Sequence, residues 1–146
     1  MRTITFIFGI LLMHVSWSQD KNTNIEGGMG IQGYDPVAYF TDNKALEGEK
    51  TITSTHQGVK YYFSNSKNKD LFDRNPSKYL PAYGGWCAYA MAGGEKVKID
   101  PETFKIIDGK LYLFYNFYFN NTLTKWNKDE ANLKRQADQH WARISK

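Results

Sequence analysis

Phe104-Lys105-Ile106-Ile107-Asp108-Gly109-Lys110-Leu111-Tyr112-Leu113-Phe114-Tyr115 decides the fold class. Two runs of β-branched and aromatic residues flank Asp108-Gly109, a pair that accepts the left-handed backbone of a tight hairpin turn. Thr51 to His56, the turn Gln57-Gly58, and Val59 to Phe63 repeat the design with a weaker signal. Helical signals lie between and after the two hairpins. Ser64, Asn65 or Ser66 can cap a helix that runs to about Arg74 and turns Leu71 and Phe72 inward. Asn75-Pro76 opens a second, short helix with proline in its first turn, and Pro81 closes it. Tyr83-Gly84-Gly85 reads as a permissive elbow. Trp86 to Ala92 reads as a helix ended by Gly93-Gly94. From about Asn121 to Ser145, Leu123 and Trp126, then Leu133, Ala137, Trp141 and Ile144, recur at helical spacing. Short antiparallel hairpins packed with several helices make a small single α+β domain.

The chain has 146 residues, one cysteine, 19 basic and 15 acidic side chains, four Trp, ten Tyr and nine Phe. Its length suits one core. One thiol forms no internal disulfide and no thiolate-rich zinc site. Basic and acidic residues are interspersed, which argues against a nucleic-acid partner. No phosphate-cradling glycine loop with its lysine, no Gly-x-Ser-x-Gly elbow and no His-Glu-x-x-His is present.

Residues 1–18 carry Arg2, an apolar run from Ile4 to Val15 and the small-x-small end Ser16-Trp17-Ser18. That is the pattern of a secretory signal peptide cut after Ser18. It implies a secreted or periplasmic protein with no transmembrane segment after cleavage. His14 leaves with it. Residues 19–33, polar and bearing Gly27, Gly28, Gly30 and Gly33, read as a flexible lead-in to a domain at 34–146. Tyr34-Asp35-Pro36-Val37-Ala38-Tyr39-Phe40 opens that domain, with Asp35 as a turn former before proline, and 41–50 is a charged loop.

Asp35-Pro36-Val37, Tyr61-Tyr62-Phe63-Ser64, and Phe72 with Asn75-Pro76-Ser77-Lys78-Tyr79 follow one another in an order that resembles the YHS domain family. Tyr83-Gly84-Gly85-Trp86-Cys87-Ala88 and Asp108-Gly109-Lys110-Leu111-Tyr112-Leu113 resemble a secreted bacterial branch of it, whose members include selenoproteins at the position taken as Cys87. The resemblance runs from about Gly33 to Trp141. It implies heavy-metal binding. In the metal-transport members, cysteines follow Asp-Pro-Val and the Tyr-Tyr-Phe strand; the corresponding positions here are Ala38, Ser64 and Asn68.

Cys87 is therefore the one soft anionic ligand. It follows two glycines at an expected helix start, where unpaired N–H groups favour a thiolate. Met91, four residues on, shares its helix face, and a thiolate with a thioether suits copper(I). His56 is the third candidate metal ligand, as neutral imidazole. The same residues support three functions: soft-metal handling through Cys87, thiol redox chemistry with Cys87 as nucleophile, or a non-catalytic interaction module. Core packing of Cys87, Ala88 and Met91 is the structural alternative. The expected partner is a metal ion or an unidentified small ligand. His140 reads as a helix-surface residue beside Trp141, and Asp100 as a turn or capping residue. Phe117 to Phe119 are hard to bury and suit a groove or a partner contact. Asn120-Asn121-Thr122 fits a glycosylation acceptor but carries no weight in a chain of bacterial character.

Overall fold

The computed structural model describes residues 21–146. The expected signal peptide, 1–18, its cleavage point and His14 lie outside the described residues. Within the described residues, eight short strands and six helices form a mixed α+β domain, with two further 3-10 turns.

The first sheet has four strands: β1 (Ile25–Glu26), β2 (Met29–Gly30), β3 (Glu49–His56) and β4 (Val59–Phe63), in the spatial order β1-β2-β4-β3. The hairpin expected at 51–63 is thus present, with His56 opposite Val59 at its turn end. Residues 25–30 correct the expectation of a flexible lead-in. They form a hairpin closed by Gly27-Gly28, and Met29 pairs in parallel with Lys60. The paired glycines serve as the turn of a hairpin, not as a linker. A 3-10 turn at Ile31–Gly33 leads to α1 (Ala38–Thr41).

Helix α2 (Ser66–Arg74) is capped by Asn65, whose side chain accepts from the Asn68 N–H, and it buries Phe72 while Leu71 stays half-buried. Proline opens α3 (Pro76–Tyr79) as expected. The elbow follows as a 3-10 turn at Ala82–Gly85. Helix α4 covers only Ala88–Met91, shorter than the expected 86–92, and Cys87 is its N-cap residue. Trp86 is kept out by its extended backbone.

Strands β5 (Asp100–Ile107) and β6 (Lys110–Phe114) form the second sheet, joined by Asp108-Gly109 with positive φ at both residues. A third, two-residue hairpin pairs β7 (Asn116–Phe117) with β8 (Asn120–Asn121). The helical tail is split into α5 (Thr122–Trp126) and α6 (Glu130–Ile144), with the break at 127–129.

Burial divides into three apolar clusters. Val37, Val59, Tyr61, Phe63, Phe72 and Tyr79 pack under the first sheet. Ile31, Tyr39, Cys87, Ile99, Leu111 and Leu113 fill the centre. Met91, Tyr112, Phe114, Trp126 and Ala137 join the second sheet to the tail helices. No helix among the described residues is long and apolar enough to cross a membrane.

Candidate functional site

The three candidate metal ligands lie in different surroundings. Cys87 is 0% exposed and belongs to the central cluster. Met91 is also fully buried, but it packs against the cluster around Trp126. His56 sits at the end of β3 with its ring edge-on to Phe72, 6.2 Å between centroids. Among the described residues no three of His, Cys, Asp and Glu gather where they could hold a metal ion.

The sulfur of Cys87 has two polar neighbours. The Tyr115 N–H donates to Sγ at 3.3 Å, and Thr122 Oγ1 lies 3.5 Å away. The Thr122 hydroxyl spends its own hydrogen on the Tyr115 carbonyl at 2.8 Å. Oγ1 is then left as an acceptor, and the contact with sulfur is complete when the thiol keeps its hydrogen and donates it. Cys87 does not cap α4 with its side chain. A helix of four residues also contributes little dipole. The Cys87 sulfur, expected at an open helix start, is instead buried among one N–H donor and one hydroxyl.

Ala38, Ser64 and Asn68 do converge. Their common point is the carboxylate of Asp35, itself 0% exposed. Oδ1 accepts from the N–H groups of Val37 at 2.8 Å and Ala38 at 3.3 Å. Oδ2 accepts from the Ser64 N–H at 2.8 Å, the Ser64 hydroxyl at 2.7 Å and the Asn68 amide at 2.8 Å. A buried carboxylate is tolerable only when so served. Asp35 thus does more than turn the chain: it ties the Asp-Pro-Val segment to the end of β4 and the start of α2.

A cleft of about 400 Å³, which sequence reasoning did not identify, opens between the two sheets. One wall comes from the first sheet, with His56 and Tyr61; the other comes from β6 and α6, with Tyr112, Lys134, Asp138 and Trp141; the elbow Tyr83-Gly84-Gly85 lies between them. All three elbow residues have positive φ, and Tyr83, at 55°, is no glycine. Non-glycine residues held in that region cost of order 1–3 kcal/mol and tend to sit at functional sites. Gly84 permits a close approach: a Cβ there would stand 2.5 Å from the Asn22 carbonyl oxygen and 2.9 Å from the Trp141 ring. The N-terminal strand is fastened to the elbow by Asn24 N–H to the Gly84 carbonyl (2.8 Å), the Asn24 amide to the Gly85 carbonyl (3.1 Å) and the Trp86 indole to the Asn22 carbonyl (2.7 Å).

Inside the cleft the Tyr83 hydroxyl donates to Asp138 Oδ1 at 2.8 Å and the Lys134 ammonium donates to Oδ2 at 3.0 Å. Burial, reinforced by the Asp138 carboxylate, pushes the Tyr83 phenol far above the ordinary tyrosine value. Burial raises Tyr112 too, against the opposing pull of Lys134. The hydrogen bond to Asp138 raises Lys134. These groups satisfy one another and leave no nucleophile beside a base. His140 is not simply a surface residue: its ring lies over Gly94, and its Nδ1 is buried without a hydrogen-bond partner among the described residues. Asp100 is the turn residue expected, accepting from the Glu102 N–H and the Thr103 hydroxyl.

Residues 37–83 match the family model of the YHS domain. That segment is similar to the YHS domain. The match begins two residues after Asp35 and ends at the elbow, so it takes in the β3–β4 hairpin, α2, α3 and one side of the cleft. The YHS family is one of metal-handling domains. No curated protein and no solved structure matches the chain.

Proposed function

We propose that this YHS protein is a non-catalytic binding module that takes a small molecule in the cleft between its YHS portion and its C-terminal portion. The observation that carries this reading is the strained elbow Tyr83-Gly84-Gly85, held open between two walls of aromatic and charged side chains. Asp138 is already engaged by Tyr83 and Lys134. Lys110, on the rim, forms no ion pair among the described residues. An apolar body with an acidic group fits that lining best. Saturation-transfer NMR with a set of small aromatic carboxylates tests it. Transfer from the wild-type protein, weakened in Lys110→Ala and Trp141→Ala, is expected. No transfer to any of them sinks the proposal.

Soft-metal handling, copper(I) in particular, is the second reading, and the family supports it. It requires α4 to open, because the Cys87 sulfur is buried and its polar neighbours are occupied. Titration with copper(I) against a competing chelator separates the two readings. Equal affinity for wild type and Cys87→Ser removes Cys87 from metal binding. A thiol nucleophile is disfavoured by the same burial. An alkylating reagent should modify Cys87 only after denaturation, and rapid labelling of the native protein would restore the redox reading.

We further propose that the protein works outside the cytoplasm, on the strength of the 1–18 sequence pattern. Mass spectrometry of the exported protein should give Gln19 as its first residue. An uncut chain retained in the cytoplasm would overturn that placement.

A further inference from the structure

Four two-residue turns in this protein share the same left-handed backbone pair. They are Gly27-Gly28 (φ 60° and 80°), Gln57-Gly58 (50° and 78°), Asp108-Gly109 (49° and 72°) and Tyr118-Phe119 (52° and 60°). Three place glycine second, as the geometry asks. The fourth places two bulky aromatics where side chains are strained. Tyr118 is 87% exposed and Phe119 is fully exposed. The β7–β8 tip thus accepts backbone strain and aromatic exposure together, and neither side chain repays the strain by packing into the core.

We propose that this tip is a membrane-surface anchor that sets Tyr118 and Phe119 into the interface of an anionic bilayer. Charge around the tip points to that partner. Along the chain no acidic residue occurs between Asp108 and Asp129, whereas Lys125 and Lys128 follow the tip within about ten residues. Lys98 stands over the Phe117 ring at the base of the hairpin, 4.6 Å from its centroid. Of the two acidic residues of the neighbouring strand β5, Asp100 is engaged by the Glu102 N–H and the Thr103 hydroxyl, and Glu102 is exposed. Aromatic side chains favour the headgroup level, and nearby lysines add attraction to anionic lipid. A convex tip of two side chains offers a protein partner little area, but insertion into lipid needs no shape complementarity. The inference is independent of the cleft.

The test is co-sedimentation of the mature protein with vesicles of phosphatidylcholine alone and of phosphatidylcholine with phosphatidylglycerol. Binding to the anionic vesicles at low salt, falling as salt is raised, is expected. The variant Tyr118→Asn with Phe119→Gly supplies the preferred residues for the turn, so it should melt no lower than wild type while binding at least about tenfold more weakly. Phe119→Trp gives a second readout: its added emission should shift to the blue on anionic vesicles and be quenched by brominated lipid. Wild type that stays in the supernatant overturns the proposal. So does an Asn-Gly variant that sediments equally, or a Phe119→Trp protein whose added emission is unchanged by vesicles.

Discussion

Asp35 shows how much one side chain can hold. Five donors from three segments converge on a carboxylate sealed from water. Asp35→Ala would leave the Ser64 N–H and the Asn68 amide without their acceptor. Thermal or urea unfolding should show a loss of about 3 kcal/mol or more, since bonds to a charged acceptor contribute about 1.5–3 kcal/mol each. Thr122 is a smaller case. Its hydroxyl links the Cys87 sulfur to the Tyr115 carbonyl, which also accepts the Thr122 N–H at 2.9 Å. Thr122→Val keeps the shape and the backbone bond but deprives the thiol of its acceptor. A loss of about 1–2 kcal/mol by the same measurement is expected. The role of Asp35 as a turn former is legible from Asp-Pro alone. Its Ser64 and Asn68 partners are not, because they lie 29 and 33 residues away. The surroundings of Cys87 were hidden for the same reason: Tyr115 and Thr122 belong to other elements.

Among the elements, the hairpins were the most legible, since alternation and an x-Gly turn are local properties. Residues 25–30 carried the same signal in Gly27-Gly28 between Ile25 and Met29, and the surrounding polar composition masked it. Helix lengths were less legible. A helical reading of 86–92 overlooks the extended backbone of Trp86 and the non-helical backbone of Cys87, whose N–H donates to the distant Val97 carbonyl. The cleft could not be read at all, because its walls meet only when the first sheet and α6 close on the elbow. Gly84→Ala should expose that dependence. Its Cβ would strike the Asn22 backbone and the Trp141 ring in a left-handed conformation. A loss of at least about 2 kcal/mol is expected, with Ala substitution at the exposed Gly93 as the mild control. A Gly84→Ala protein that unfolds at the wild-type urea midpoint would deny the elbow its role.

At the scale of the whole molecule, buried phenols link stability to alkaline pH. Tyr39 and Tyr83 are pushed far above the ordinary tyrosine value, each first by burial, and Tyr112 is raised by burial as well. In the unfolded chain these phenols release their protons near the ordinary tyrosine value of 10.0, while in the folded chain they keep them. Above about pH 10 the unfolded state binds fewer protons, so stability falls as pH rises; below it, their contribution is complete. Each fully protected tyrosine steepens the fall by about 1.4 kcal/mol per pH unit. Urea midpoints taken from neutral to strongly alkaline pH should drop beyond about pH 10, and less steeply in Tyr39→Phe.

The fastening of the N-terminal strand to the elbow has a consequence in time. Its bonds join residues 61 and 64 positions apart, and the Lys96 ammonium reaches the Asn22 side chain across 74. Contacts of such separation are slow to form, because a long stretch of chain must be ordered before they are rewarded. The β3–β4 and β5–β6 hairpins need no such wait. Residues 22–30 should therefore dock last, over a core that has already condensed. Asn24→Ala is expected to leave the refolding rate nearly unchanged in stopped-flow measurements and to express its whole cost as faster unfolding. The first described segment of the chain would then be the last to find its place, and the cleft would acquire its rim only at the final step.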